Sequence, residues 1–196
     1  MGTKRFLRKM NEFWKLADIS DIARRYFAMN IFDDVLMVLG ILLAGFFSKA
    51  GAEFITTAVT GAAVAVTVSG TWGAYIAESS ERKGKIKSLE RKMAINLRKS
   101  PIEKAHNFAT LFLSLVNGLP SIIVAMFIIL PFILKMGIML SYSIAFALSF
   151  FVLFWIGAFL GRLGKENLIL SGAKMILVGI ICSIIIFLVE RAGASA

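Results

Sequence analysis

Apolar residues run along this chain in five long blocks, set apart by short polar or basic segments. The blocks are Tyr26–Phe47, Phe54–Glu78, Phe108–Leu134, Ile138–Leu160 and Leu168–Val189. A helix needs about 20 apolar residues to cross a bilayer, and each block reaches that length. The pattern predicts an all-α integral membrane protein with five transmembrane helices. Ahead of the first block, Phe6, Met10, Phe13, Trp14 and Ala17 recur at helical spacing among lysines and arginines. That spacing predicts a helix lying in the membrane interface, with a frayed tail as the alternative. The organisation expected is an amphipathic cytoplasmic segment over 1–25 and a five-span membrane domain over 26–190. Residues 79–105 form a short helical cytoplasmic insert between spans 2 and 3, with Pro101 near its end. Asp18, Ser20 or Asp21 can cap the helix that becomes the first span.

The spans differ in character. The second is dominated by Ala, Gly, Ser and Thr from Thr56 to Ala77. Small residues let helices pack closely, and hydroxyls can line a polar path. The third carries Pro120 and Pro131, with Asn117 and Gly118 just before the first of them. Proline removes a backbone hydrogen bond, so a break is expected at 117–120. Interrupted helices tend to mark transport sites, although two prolines can also be simple kinks. Gly157 and Gly161 give the fourth span a GxxxG spacing, expected at a helix contact within or between chains.

Composition supports the membrane reading. Hydrophobic residues make up 58% of the 196 positions, with a mean hydropathy of +0.81, against about 45–50% for a soluble domain. The net charge is +10, and its distribution speaks against nucleic acid as a partner. The basic residues concentrate in 1–25 and in 79–105, while the 48–53 and 135–137 turns are nearly uncharged. The positive-inside rule puts both rich segments in the cytoplasm. The expected topology has the N-terminus inside and the C-terminus outside, in a multi-pass protein of the cell (inner) membrane. The single cysteine, Cys182, allows no intrachain disulfide. The first 25 residues lack an apolar core and a small-residue cleavage site, so no cleavable signal is expected.

The candidate chemistry lies in the acids. Asp33 and Asp34 sit inside the first apolar run. A charged side chain at mid-span costs roughly 2.5–3.5 kcal/mol on insertion scales, which makes such a residue a functional candidate by default. Met29, Asp33 and Met37 fall four apart on one helical stripe, and Asn30 lies three before Asp33. Carboxylate, amide and thioether ligands suit hard and borderline divalent cations. Adjacent residues diverge by about 100° around a helix, so the two acids cannot face one site equally. Lys174, six residues into the last span, is expected to pair with them. Glu78, Glu81, Glu90 and Glu103 form a second set at the cytoplasmic mouth, with Glu78 at the membrane edge. His106, three after Glu103, can join an acid on one helix face, but solvated pairing with nearby lysines is the leading reading of this set, most of all for His106. There is one histidine, no phosphate-binding glycine loop and no cysteine cluster, so an enzyme is not expected.

Several motifs together resemble the vacuolar iron transporter family, in particular its short prokaryotic members. Asn30-Ile31-Phe32-Asp33-Asp34-Val35-Leu36 is similar to the Asp-Gly-Leu at the start of that family's first span. Gly73-Ala74-Tyr75-Ile76-Ala77-Glu78-Ser79-Ser80-Glu81 is similar to the segment closing its second. The proline-bearing third span ending at Pro131, and Ser171-Gly172-Ala173-Lys174-Met175 opening the last span, complete the series. The resemblance covers roughly residues 24–190. Asp34 stands where the family has glycine. Ala62 and Gly70 stand at the positions of its metal-binding glutamate and methionine. The resemblance implies export of Fe²⁺ or Mn²⁺ from the cytoplasm in exchange for protons, in a homodimer with the path between protomers. It implies that Asp33 serves the metal path and that Glu78 and Glu81 begin the cytoplasmic metal-collecting region.

The combined expectation is a divalent metal (Fe²⁺/Mn²⁺) antiporter with no tightly bound cofactor, the metal being its substrate. Its path would use Asp33, Asp34, Asn30, Met37, Asn117 and Lys174. Metal ligands would come from Asp33, Met37, Glu78, Glu81, Glu90 and Glu103. A non-transporting membrane scaffold or regulator, and a passive cation channel, are the alternatives.

Overall fold

The computed structural model describes residues 19–94, 96 and 100–193. Most of the amphipathic N-terminal segment expected over 1–25 lies outside these residues. Five helices follow one another: α1 (Ile19–Phe47), α2 (Ala52–Met93), α3 (Pro101–Ile133), α4 (Ile138–Leu163) and α5 (Leu168–Gly193). All five are long and apolar enough to cross a membrane, and the protein is a multi-pass α-helical membrane protein.

Turn chemistry fixes the short connections. Lys49 and Lys135 take positive φ values of 55° and 53° just after α1 and α3. The amide that follows each left-handed residue returns to the helix, Ala50 N to Gly45 O at 2.8 Å and Met136 N to Pro131 O at 3.3 Å. This closes the helix ends on their own carbonyls. Asn167 Oδ1 accepts from the amides of Ile169 and Leu170 and caps α5. Ser100 Oγ accepts from Glu103 N at 3.2 Å at the head of α3, with Pro101 between them. Ser-Pro-x-Glu is a helix-start signature, and here the Glu103 amide takes part in the cap.

The longest helix outruns a bilayer about twofold. At about 1.5 Å per residue, the 42 residues of α2 extend about 63 Å, against a hydrocarbon core of about 30 Å. Of the expected 79–105 insert, residues 79–93 continue α2 and residues 101–105 open α3. The break expected at 117–120 does not occur, since α3 is continuous with Pro120 and Pro131 inside it. Ser141 Oγ donates to Pro131 O at 3.1 Å.

The described residues divide into two units, and α1, α2 and α3 contribute to both. The first unit takes its residues from Met1–Phe27 and Thr67–Leu119, the second from Ala28–Val66 and Pro120–Ala196. In the first, Ile19 and Ala23 pack with Ala109 and Leu113. Gly118 lies so close to Thr67 and Thr71 that a Cβ has no room there. In the second, Val35, Val38 and Leu42 of α1 pack with Ile55 and Val59 of α2, Ile128 and Phe132 of α3, and Leu153 and Ile156 of α4. The GxxxG pair is an internal contact. A Cβ on Gly157 would come within 2.6 Å of Ser171 O, and one on Gly161 within 2.6 Å of Ser171 Oγ. α4 and α5 thus pack backbone to backbone. On α2, Thr57, Gly61, Ala65, Ser69, Gly73 and Ala77, four apart, form an exposed small-residue stripe.

Candidate functional site

The apolar environment of α1 decides the fate of its two acids. Asp34 points into the core of the second unit and is 1% exposed, whereas Asp33 lies on the outer face. The angular step between neighbours produces this split. Asp34 Oδ2 has no hydrogen-bond partner, and neither has the Oγ of Ser121, which is fully buried. Ser121, on α3, is the polar neighbour acting on the Asp34 carboxyl. A buried polar atom without a partner costs about 1–3 kcal/mol, and more if charged, so packing alone does not account for an acid there. Met37, on the Asp33 stripe, packs against the core of this unit, while Met29 is exposed and Asn30 is half-buried.

Lys174 does not pair with these acids. Its Nζ lies 3.5 Å from Glu166 Oε2, and its side chain is 62% exposed. A long aliphatic stem lets an ammonium near a helix end reach outward, and the acid of the α4–α5 turn meets it there. The expected pairing with Asp33 and Asp34 is corrected accordingly.

The first unit holds the second polar group. Glu78 is 3% exposed, and both of its oxygens are engaged. Tyr26 Oη donates to Oε1 at 3.0 Å, and Arg82 Nε donates to Oε2 at 2.9 Å. Arg82 is 4% exposed, and its Nη1 lies 3.3 Å from His106 Nδ1. The i,i+4 spacing of Glu78 and Arg82 sets up the ion pair, while Tyr26 of α1 and His106 of α3 complete it from other helices. One turn away, Glu81 faces outward and pairs with Lys85 at 2.7 Å. The Lys85 hydrogen bond holds the Glu81 carboxyl below its ordinary range. Glu90 and Glu103 line a cavity of about 330 Å³ together with Lys83, Lys87 and Asn96.

The glutamates expected to collect metal are therefore dispersed: one in a buried ion pair, one in a surface pair, two in a cavity shared with lysines. Among the described residues, no three His, Cys, Asp or Glu side chains come together to hold a metal. Asn117 serves a contact between α2 and α3, its Nδ2 donating to Gly70 O at 2.9 Å. Sequence reasoning passed over Arg82, Tyr26 and Ser121. The Glu78/Arg82 spacing was the available signal for the first, but nothing in the sequence ties the other two to their acids.

No family model matches the chain. It is similar to Uncharacterized protein MJ0645 of Methanocaldococcus jannaschii, with 33% identity over 172 residues that cover 86% of this chain and 88% of the relative. At that identity and coverage the chain belongs to the same family as the Methanocaldococcus protein.

Proposed function

We propose that this membrane protein is a divalent-cation transporter that exports Fe²⁺ or Mn²⁺ from the cytoplasm in exchange for protons. The observation that carries the reading is the split acid pair of α1. Asp34 is held in a protein core with an unpartnered oxygen, and Asp33 is presented on the outer face beside it. Unneutralised acids at membrane depth mark ion paths. A carboxylate can hold a proton or a metal ion but not both at once, and that competition couples two cations. Asp33 takes the metal, with Asn30 and Met37 on its stripe as further ligands. Lys174 has no part in the path.

A homodimer supports this chemistry. Asp33 on a lipid-exposed face is costly, and a second protomer covering that face removes the cost. The exposed small-residue stripe of α2 is the kind of surface on which membrane helices pack closely. The resemblance to the vacuolar iron transporters points the same way for metal and direction, with the basic segments and N-terminus cytoplasmic.

Purified protein in liposomes tests the reading with Fe²⁺, Mn²⁺, Co²⁺ and Zn²⁺, each with and without a pH gradient. Metal uptake that needs the gradient, and that Asp33→Asn abolishes with the dimer intact, is the expected result. Uptake without a gradient identifies a passive channel. No uptake of any metal leaves a scaffold or regulator and defeats the proposal.

A further inference from the structure

The buried group of the first unit contains a feature that neither metal nor transport explains, the meeting of His106 with Arg82. A guanidinium carries only donors and keeps its charge at every physiological pH. Its Nη1 lies 3.3 Å from His106 Nδ1, so Nδ1 must be the acceptor. The imidazole is then neutral, with its proton on Nε2. Any second proton has to bind at Nδ1, the atom that faces Arg82.

We propose that His106 is a proton-operated latch: protonation of Nδ1 sets two cations donor to donor and releases α3 from the Arg82–Glu78–Tyr26 group.

The charged groups that act on the imidazole are cationic. His106 is 7% exposed and Arg82 is 4% exposed, so water screens the pair weakly. From α2, Lys85 adds positive charge, and its own acid partner is Glu81. Glu78 has already given one oxygen to Arg82 Nε and the other to Tyr26 Oη. From α1, Tyr26 and Arg25 flank the same group. On α3 itself, the Glu103 amide caps the helix while its side chain lines the cavity shared with Lys83 and Lys87, Lys104 is exposed, and the His106 carbonyl accepts from Thr110 Oγ1 at 3.0 Å. Burial first, then Arg82 and Lys85, push the imidazole below its ordinary value of 6.5.

The sign follows from linkage. The open state binds the proton with the ordinary affinity and the latched state binds it less well, so the latched state loses stability as pH falls. The loss begins near pH 6.5 and continues down to the depressed value of the closed form. Across that window, opening rises up to about tenfold per pH unit for one proton. Above it, the latch is closed and insensitive to pH.

The chain has one histidine, so ¹⁵N-imidazole NMR of the wild-type protein in detergent reads this site without mutation. The expected spectrum at neutral pH is the neutral tautomer with Nε2 protonated. Hydrogen exchange, corrected for its intrinsic pH dependence, should show amides of 78–85 and 103–110 losing protection as pH falls below about 6.5. His106→Gln, which keeps an acceptor and does not titrate, should remove that response, and His106→Asn serves if the glutamine protein does not fold. An Nδ1-protonated or already charged imidazole at pH 7 would overturn the proposal. So would an unchanged pH response in the variants. Neither readout involves transport, so the latch and the transport reading stand or fall separately.

Discussion

Glu78 and Asp34 are both buried acids on long apolar helices, and their surroundings are opposites. Glu78 has a guanidinium on one oxygen and a phenol on the other. Asp34 has apolar neighbours, an adjacent serine hydroxyl and an oxygen with no partner. The first arrangement is complete: every charge brought out of water has been given a counter-group, and three helices are tied by it. The second is incomplete within one protomer and is destabilising as it stands. Full partnering marks an acid that holds structure, and missing partners mark an acid kept for another purpose. On sequence alone Glu78 and Asp33 looked like successive stations of one metal path. In the structure Glu78 is locked in a buried ion pair and Asp33 faces outward.

Changing each acid by its smallest step tests this contrast, and the largest effect belongs to Glu78. Glu78→Gln leaves the Arg82 guanidinium buried without its counter-charge, and breaking a buried pair in this way costs about 3–5 kcal/mol. Thermal unfolding in detergent should show that loss. A variant as stable as wild type would mean that the group is not structural.

Asp34→Leu should act in the opposite direction. Leucine has the same branching and brings no unpartnered oxygen into the core, so a gain of about 1–3 kcal/mol is expected. Metal uptake should suffer at the same time, as expected where a site carries strain for function. Lower stability in this variant would show that Asp34 has a structural partner after all, and would erase the contrast.

Glu81→Gln should change little, within about 1 kcal/mol, because the Lys85 pair is exposed and screened. The Lys85 hydrogen bond depresses the Glu81 carboxyl in the folded protein. Its small contribution is therefore present above the ordinary value of 4.5 and is lost as pH falls through the depressed one. The difference between variant and wild type should vanish on the acid side of that window.

Asp33→Asn should leave the fold and the dimer intact and still abolish metal uptake. That dissociation would sharpen the contrast most, since function would be lost while the fold is kept. Wild-type uptake in this variant would remove Asp33 from the path.

The sequence determined the five helices long and apolar enough to cross a membrane and the presence of acids within them, because length and apolarity alone set what can cross a bilayer. It also carried the GxxxG spacing of Gly157 and Gly161, the Ser-Pro-x-Glu start of α3 and the Glu78/Arg82 interval. Which way each side chain faces was beyond it. In a soluble helix the apolar stripe identifies the inside, but here lipid makes the outside apolar too. Nothing in Ile31-Phe32-Asp33-Asp34-Val35 shows that Asp34 turns to the core and Asp33 away from it. Asn117 before Pro120 suggested a break, yet the tertiary structure uses it as a bond to Gly70 and leaves the helix whole. Lys174 found Glu166 across a turn, and Arg82 found His106 on another helix. These pairings depend on distances that only packing sets. A charge in a low-dielectric interior takes whatever partner the fold brings within reach, and local sequence does not encode that reach.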